Sequence, residues 1–133
     1  MDGGSTDGTQ DIIKSFAGSI AYWESEADRG ISDAWNKALK HVRRSWIHFL
    51  GADDYLWSPD VLEQLSPHLA SARPQFRVVY GRVASVTERG ELIVLQGVAW
   101  ERARLRILKE MAIPHQGVMH HRSLFEVHGD FDV

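Results

Sequence analysis

From Ile31 onward the apolar positions fall at Ile31, Ala34, Trp35, Ala38, Leu39 and Val42, a spacing that lays one stripe along a helix. Upstream, Thr9 reads as the N-cap of a shorter helix carrying Ile12, Ile13 and Phe16. Between the two, residues 19–23 (SIAYW) are β-prone and predict a strand ending at Glu24 or Ser25, followed by a polar loop at 26–30. Residues 46–50 (WIHFL) predict a compact buried strand, broken by Gly51 and followed by the acidic pair Asp53-Asp54. Ser58 and Pro59 read as the N-cap and first residue of a helix that buries Val61, Leu62, Leu65 and Leu69, with Pro67 expected to kink or end it. Residues 77–87 and 92–95 flank Glu88-Arg89-Gly90-Glu91 and predict a β-hairpin with Gly90 at its turn. Trp100 to Met111 predicts a helix stopped by Pro114, and 117–133 hold a strand and a short helix.

The alternation of strand and helix through the first 72 residues is the mark of βαβ units. We therefore expect one α/β domain over 1–133, with a mostly parallel central sheet flanked by helices and a β-hairpin added. Ligands bind such sheets at the carboxyl ends of the strands. That rule gathers Asp2, the 24–30 loop and Asp53-Asp54 on one edge. Residues 2–9 (DGGSTDGT) are loop chemistry with no element before them, and 129–133 (GDFDV) carry no closing signal. Both ends read as cut through a larger domain.

The 133 residues are 44% apolar, with 5 Trp, 5 Phe and 3 Tyr, enough large side chain for a packed core. Lys+Arg 15 against Asp+Glu 18 gives a net charge of −3, without the basic excess that holds a protein on nucleic acid. The absence of cysteine removes disulfides, thiolate metal sites and cysteine nucleophiles. No stretch approaches the roughly 20 apolar residues of a membrane span, and the start lacks the pattern of a signal peptide. These features lead to the expectation of a soluble cytoplasmic chain, or one peripheral to the inner face of a membrane.

Asp53 and Asp54 stand on an uncluttered turn after an apolar strand. Hard divalent cations such as Mg²⁺ or Mn²⁺ take one or two carboxylates and leave positions for phosphate oxygens. Taken alone, the pair fits a solvated helix entry as well. Asp2 and Ser5, beside Gly3 and Gly4, suit contact with a base or ribose, or an ordinary Asx turn. In the 25–37 segment, Asp28 and the Arg29 guanidinium suit ribose and phosphate. Asp33, Asn36 and Lys37 fit a helix surface equally well. His120 and His121 are adjacent and would point to opposite faces of a strand. A zinc site from His115, His120 and His128 is the alternative to a set of ordinary buried and exposed histidines. Arg102, Arg104, Arg106 and Lys109 form a solvated helix face, or one that meets an anionic acceptor or a lipid phosphate.

Residues 2–9 (DGGSTDGT), 25–37 (SEADRGISDAWNK) and 49–54 (FLGADD) resemble, in order and spacing, the family 2 glycosyltransferases with the GT-A fold. The resemblance covers nearly the whole chain and implies a partial GT-A domain, with a nucleotide-sugar-binding half over about 1–57 and an acceptor side over about 58–133. It implies a nucleotide-diphosphate-sugar donor, a UDP-sugar foremost, held by Asp2, Ser5, Asp28, Arg29 and Asp53. It further implies a Mn²⁺ or Mg²⁺ ion on Asp53 and Asp54, and sugar transfer with inversion to a saccharide, protein or lipid-linked acceptor. His115 and Gln116, after Pro114, resemble a Pro-His-Gln segment that faces the sugar or acceptor. The chain departs from the family pattern at Gly51, which takes the first place of the Asp-x-Asp metal motif. The family's opening strand has no counterpart before Met1, and its catalytic base falls beyond Val133. The alternative to an active transferase is a GT-A fragment that binds the donor weakly or associates with another chain. A metal-dependent phosphohydrolase on the same edge is a third reading.

Overall fold

Alternation decides burial in the first strand: along 46–49, Trp46 and His48 are half-exposed while Ile47 and Phe49 are buried. In the computed structural model, which describes residues 1–133, the elements run as follows. Helix α1 is Thr9–Ser15, a 3₁₀ turn spans Ala17–Ser19, and α2 is Ile31–Leu39. Strand β1 is Trp46–His48, α3 Val61–Ala72, β2 Val78–Tyr80, β3 Val83–Val86 and β4 Leu92–Gln96. Helix α4 is Trp100–Arg106, a second 3₁₀ turn spans His115–Gly117, β5 is Val118–His121 and α5 Ser123–His128. Two compact units divide them, one of residues 1–44 with 127–133 and one of residues 45–126.

The expected mostly parallel sheet is not formed. In the 45–126 unit a three-stranded sheet has the order β1-β5-β2, and both neighbours of β5 run antiparallel to it. Strands β1 and β2 therefore share a direction, as a β1-α3-β2 crossover requires. Strand β5 comes from far along the chain and lies between them in the opposite sense. Its register sets His120 opposite Ile47 on one side and Val78 on the other. Buried apolar residues of this unit are Ile47, Phe49, Ala72, Ala103, Val118 and Met119.

The expected 77–87 strand breaks at Gly81. Its first part joins β5, while its second pairs with β4 as the predicted hairpin. The turn closes through Gly90 N donating to Thr87 O at 2.8 Å, with Gly90 at φ 79°. Gly81, Gly97 and Gly117 meet where β2 passes into β3. A Cβ on Gly117 would stand 2.9 Å from Gly81 O, and one on Gly97 3.3 Å from it.

Several local expectations shift. Helix α1 is capped by Gly8 at φ 93°, and Thr9 is its first residue, with its amide and hydroxyl both donated to Asp7 Oδ1. Helix α3 begins at Val61 rather than Pro59, because Asp60 takes the cap position and its carbonyl accepts from Gln64 N at 2.9 Å. Pro67 lies inside α3 without ending it. Helix α4 stops at Arg106: beyond it Leu108 is 97% and Met111 83% exposed, so no burial sustains the periodic pattern. In the 1–44 unit the 19–23 segment forms no regular strand. Its continuation makes one parallel bridge, Ser25 to Asp2, through Asp2 N to Glu24 O and Glu26 N to Asp2 O.

Candidate functional site

In the unit of residues 1–44 with 127–133, Asp2 is 9% exposed and its carboxylate collects four donors. Gly4 N and Ser5 N donate to Oδ2 at 3.2 and 3.0 Å, Ser25 Oγ donates to Oδ2, and Ser5 Oγ donates to Oδ1. The hydroxyls of Ser25 and Ser5, with the two amides, hold this carboxyl down to about 2. Asp2 and Ser5 thus come together, as a carboxylate that organises its own loop. Gly3 lets that loop approach Asp28, since a Cβ there would stand 2.9 Å from Asp28 Oδ2. Asp28 Oδ1 accepts from Gly30 N at 2.9 Å, an Asx turn leading into α2.

Arg29 is tied to α2 through Asp33, which accepts Arg29 N at 3.1 Å and Arg29 Nη2 at 3.2 Å. These bonds, the backbone one foremost, lower the Asp33 carboxyl. The Arg29 side chain remains 75% exposed. Lys37 Nζ reaches Glu26 at 2.7 Å and Ala27 O at 3.1 Å, and the Glu26 contact raises its pKa. Asn36, for which the sequence allows a helix-surface or a functional role equally, holds the backbone of Phe131 at both ends. Its Nδ2 donates to Phe131 O at 2.8 Å and its Oδ1 accepts Phe131 N at 2.9 Å. An isolated Asn on a helix gives no sign of a partner 95 positions away.

In the 45–126 unit, Asp53 and Asp54 line a cleft of about 440 Å³ that also takes in His48, Arg82, Gln116 and Trp57. The turn is held by Asp54 N donating to Gly51 O and Gly51 N donating to Asp54 Oδ2, both at 3.2 Å. Both carboxylates lean toward the vacant side-chain position of Gly51. A Cβ there would lie 2.7 Å from Asp54 Oδ2 and 3.3 Å from Asp53 Oδ1. The departure from Asp-x-Asp thus has a steric correlate: the space of the first side chain is taken by Asp54, the residue just after the motif. Two close carboxylates fit a hard cation that draws its remaining ligands from phosphate and water. No group of three or more His, Asp or Glu side chains is arranged to hold a metal.

His48 and Arg82 are the cleft residues that sequence reasoning missed. His48 Nε2 donates to Gln116 O at 2.7 Å, which fixes its tautomer and ties β1 to the loop before β5. The signal for Arg82 was Gly81, a break inside a run read as one strand. Gln116 reaches the cleft, but His115 does not line it. The His115 ring lies 6.0 Å from Phe49 and 5.7 Å from His120. Burial, with the charge of neighbouring histidines, lowers His115 and brings His120 down to about 4, so both are neutral. His121 is buried edge-on to Trp46, and its Nδ1 accepts from Ser123 N at 3.3 Å at the start of α5.

A sequence model described as "Glycosyl transferase family 2" matches residues 1–126. A "PGL/p-HBAD biosynthesis glycosyltransferase" of Mycobacterium bovis (strain BCG / Pasteur 1173P2) is 32% identical over 136 residues, covering 100% of this chain and 50% of its own. A protein of that name from Mycobacterium tuberculosis (strain ATCC 25177 / H37Ra) matches to the same extent. An "uncharacterized glycosyltransferase" of Mycobacterium tuberculosis (strain ATCC 25618 / H37Rv) is 34% identical over 74 residues, 56% of this chain and 28% of its own. The chain spans about half the length of the first of these relatives, and no solved structure matches it. No helix is long and apolar enough to cross a membrane. The ordered motifs, the acidic turn after β1 and the match over 126 residues agree, and the chain belongs to glycosyl transferase family 2, a family of sugar-transferring enzymes.

Proposed function

We propose that the chain carries the donor-binding part of a metal-dependent glycosyltransferase that moves a sugar, with inversion, from a nucleotide diphosphate to an acceptor hydroxyl. The observation that carries this reading is the pair of carboxylates, Asp53 and Asp54, converging on Gly51 at the wall of a cleft in a family 2 chain. Asp53 and Asp54 would hold Mn²⁺ or Mg²⁺. Such an ion, when bound, neutralises charge on a leaving diphosphate. Arg82 gives the cleft a cation for anionic oxygens, and His48, donating from Nε2, holds the wall formed by Gln116. In the 1–44 unit, Asp2 and Ser5 are proposed to shape the loop that meets the nucleoside. Asp28 and Arg29 are proposed for ribose, sugar and phosphate, with the exposed Arg29 guanidinium the most available of them. Gln116, with His115 beside it, is proposed for the sugar or acceptor side.

A UDP-sugar is the proposed donor, and a saccharide or lipid-linked molecule the proposed acceptor. A cytoplasmic location is part of this proposal. The test is a calorimetric titration of UDP into the purified chain with Mn²⁺, with EDTA, and in Asp53→Asn. Saturable binding that disappears with EDTA and in the variant supports the reading. Binding equal in all three overturns the metal site, and no binding to a folded chain overturns the donor site.

A further inference from the structure

A second groove lies in the 45–126 unit, of about 770 Å³, and its walls are Phe76, Val78, Tyr80, Val98, Trp100 and Ile113. This is not the acidic cleft, but the two share the segment 79–82 as a common wall. The wall is built in place. Tyr80 Oη donates to Val98 O at 3.0 Å, and Gly97, at φ 100°, brings its backbone against Gly81 O. Burial raises the Tyr80 hydroxyl, which keeps it a neutral donor in this contact. Phe76 and Trp100 nonetheless remain more than half exposed, so large aromatic surface faces an open groove instead of a packed interior.

The lining residues themselves carry positive charge only, while the Glu101 carboxylate acts on Tyr80 from beside the wall. Arg77 and Arg82 are its ionisable groups other than Tyr80, no Asp or Glu lines it, and neither guanidinium is within ion-pair distance of a carboxylate. An apolar trough edged by two unneutralised guanidinium groups is complementary to a molecule with an apolar body and an anionic head. We propose that this groove binds an anionic amphiphile, an alkyl or aryl body carrying a phosphate or carboxylate, as the acceptor-side ligand. The apolar body would lie along Phe76, Val98 and Trp100, and the head group at Arg77 and Arg82. The assignment as acceptor rests on the reading of the acidic cleft as the donor site, with Arg82 bordering both.

The test is calorimetric titration of the full chain with decyl phosphate below its micellar concentration, with inorganic phosphate and decyl maltoside as separate arms. Decyl phosphate is expected to bind saturably, the uncharged decyl maltoside about tenfold more weakly, and phosphate alone not detectably. Trp100→Ala and Arg77→Gln are each expected to weaken decyl phosphate by about tenfold or more while leaving Mn²⁺-dependent UDP binding unchanged, which shows the variants folded. If Trp100→Ala does not fold, Val98→Gln is expected to give the same loss. Decyl phosphate binding that is absent, that survives both substitutions, or that inorganic phosphate or decyl maltoside matches overturns the proposal. Nucleotide binding without amphiphile binding removes the groove and leaves the donor site standing. The reverse result removes the donor site and leaves the groove as an amphiphile site.

Discussion

A methyl group on Gly51 would press on Asp54 Oδ2 at 2.7 Å and crowd Asp53 Oδ1 at 3.3 Å, so the turn is shaped around a missing side chain. Gly51→Ala is expected to weaken Mn²⁺-dependent UDP binding by about tenfold, measured calorimetrically, because the carboxylate that moves is one of the two proposed ligands. The sequence shows that the first acidic place of the motif is vacant; only the folded turn shows that Asp54 occupies the space. A second residue-scale consequence concerns acid. His120 is held down to about 4 by burial, and Asp2 to about 2 by its hydroxyl and amide donors. Between the ordinary histidine value of 6.5 and about 4, the unfolded chain binds a proton that folded His120 refuses. Between 3.8 and about 2 the same holds for Asp2. Both effects make stability fall as pH falls, first below 6.5 and again below 3.8. Urea midpoints at pH 7, 5 and 3 are expected to decrease in that order. In His120→Asn the step between pH 7 and 5 is expected to shrink.

At the scale of elements, what could be read from sequence was periodicity, and what could not was the partner. Helix α2 forms where the 3.6-residue repeat predicts it, but Ile31 at the head of the stripe is exposed and Val42 lies past the end of the helix. The hairpin of β3 and β4 forms around Gly90, and β1 alternates as the apolar positions allow. The 19–23 segment is β-prone, yet Asp2 alone pairs with its continuation, and a strand exists only through its ladder. Helix α4 shows the converse, a good pattern that stops where its apolar side has nothing to bury against. Asn36→Ala removes two hydrogen bonds to the Phe131 backbone and is expected to cost about 1–2 kcal/mol, with hydrogen exchange at the Phe131 amide accelerating more than at the α2 amides. Strand β4 keeps Leu92, Ile93, Val94 and Leu95 exposed on a two-stranded sheet and carries no charge to discourage pairing. Self-association through this edge is the expected result. Sedimentation should show a concentration-dependent shift that Ile93→Lys removes; a shift that persists in that variant places the contact elsewhere.

At the scale of the whole molecule, fold class and family were legible because three short motifs keep their order along the chain, and such order survives where single residues drift. The direction of the sheet was not, because the β1-α3-β2 crossover has the grammar of a parallel sheet and says nothing of a strand arriving later. That strand carries a consequence for how the protein is made. Strands β1 and β2 have no ladder with each other; every inter-strand bond in their sheet runs to 118–121. During synthesis, the whole of 81–117 must emerge after β2 ends at Tyr80 before β5 begins at Val118. Throughout that interval the ribosome displays two open edges with apolar side chains and nothing to close them. Nascent chains halted before residue 118 should therefore be captured by holdase chaperones and cut readily by protease, and chains extended past 121 should escape both.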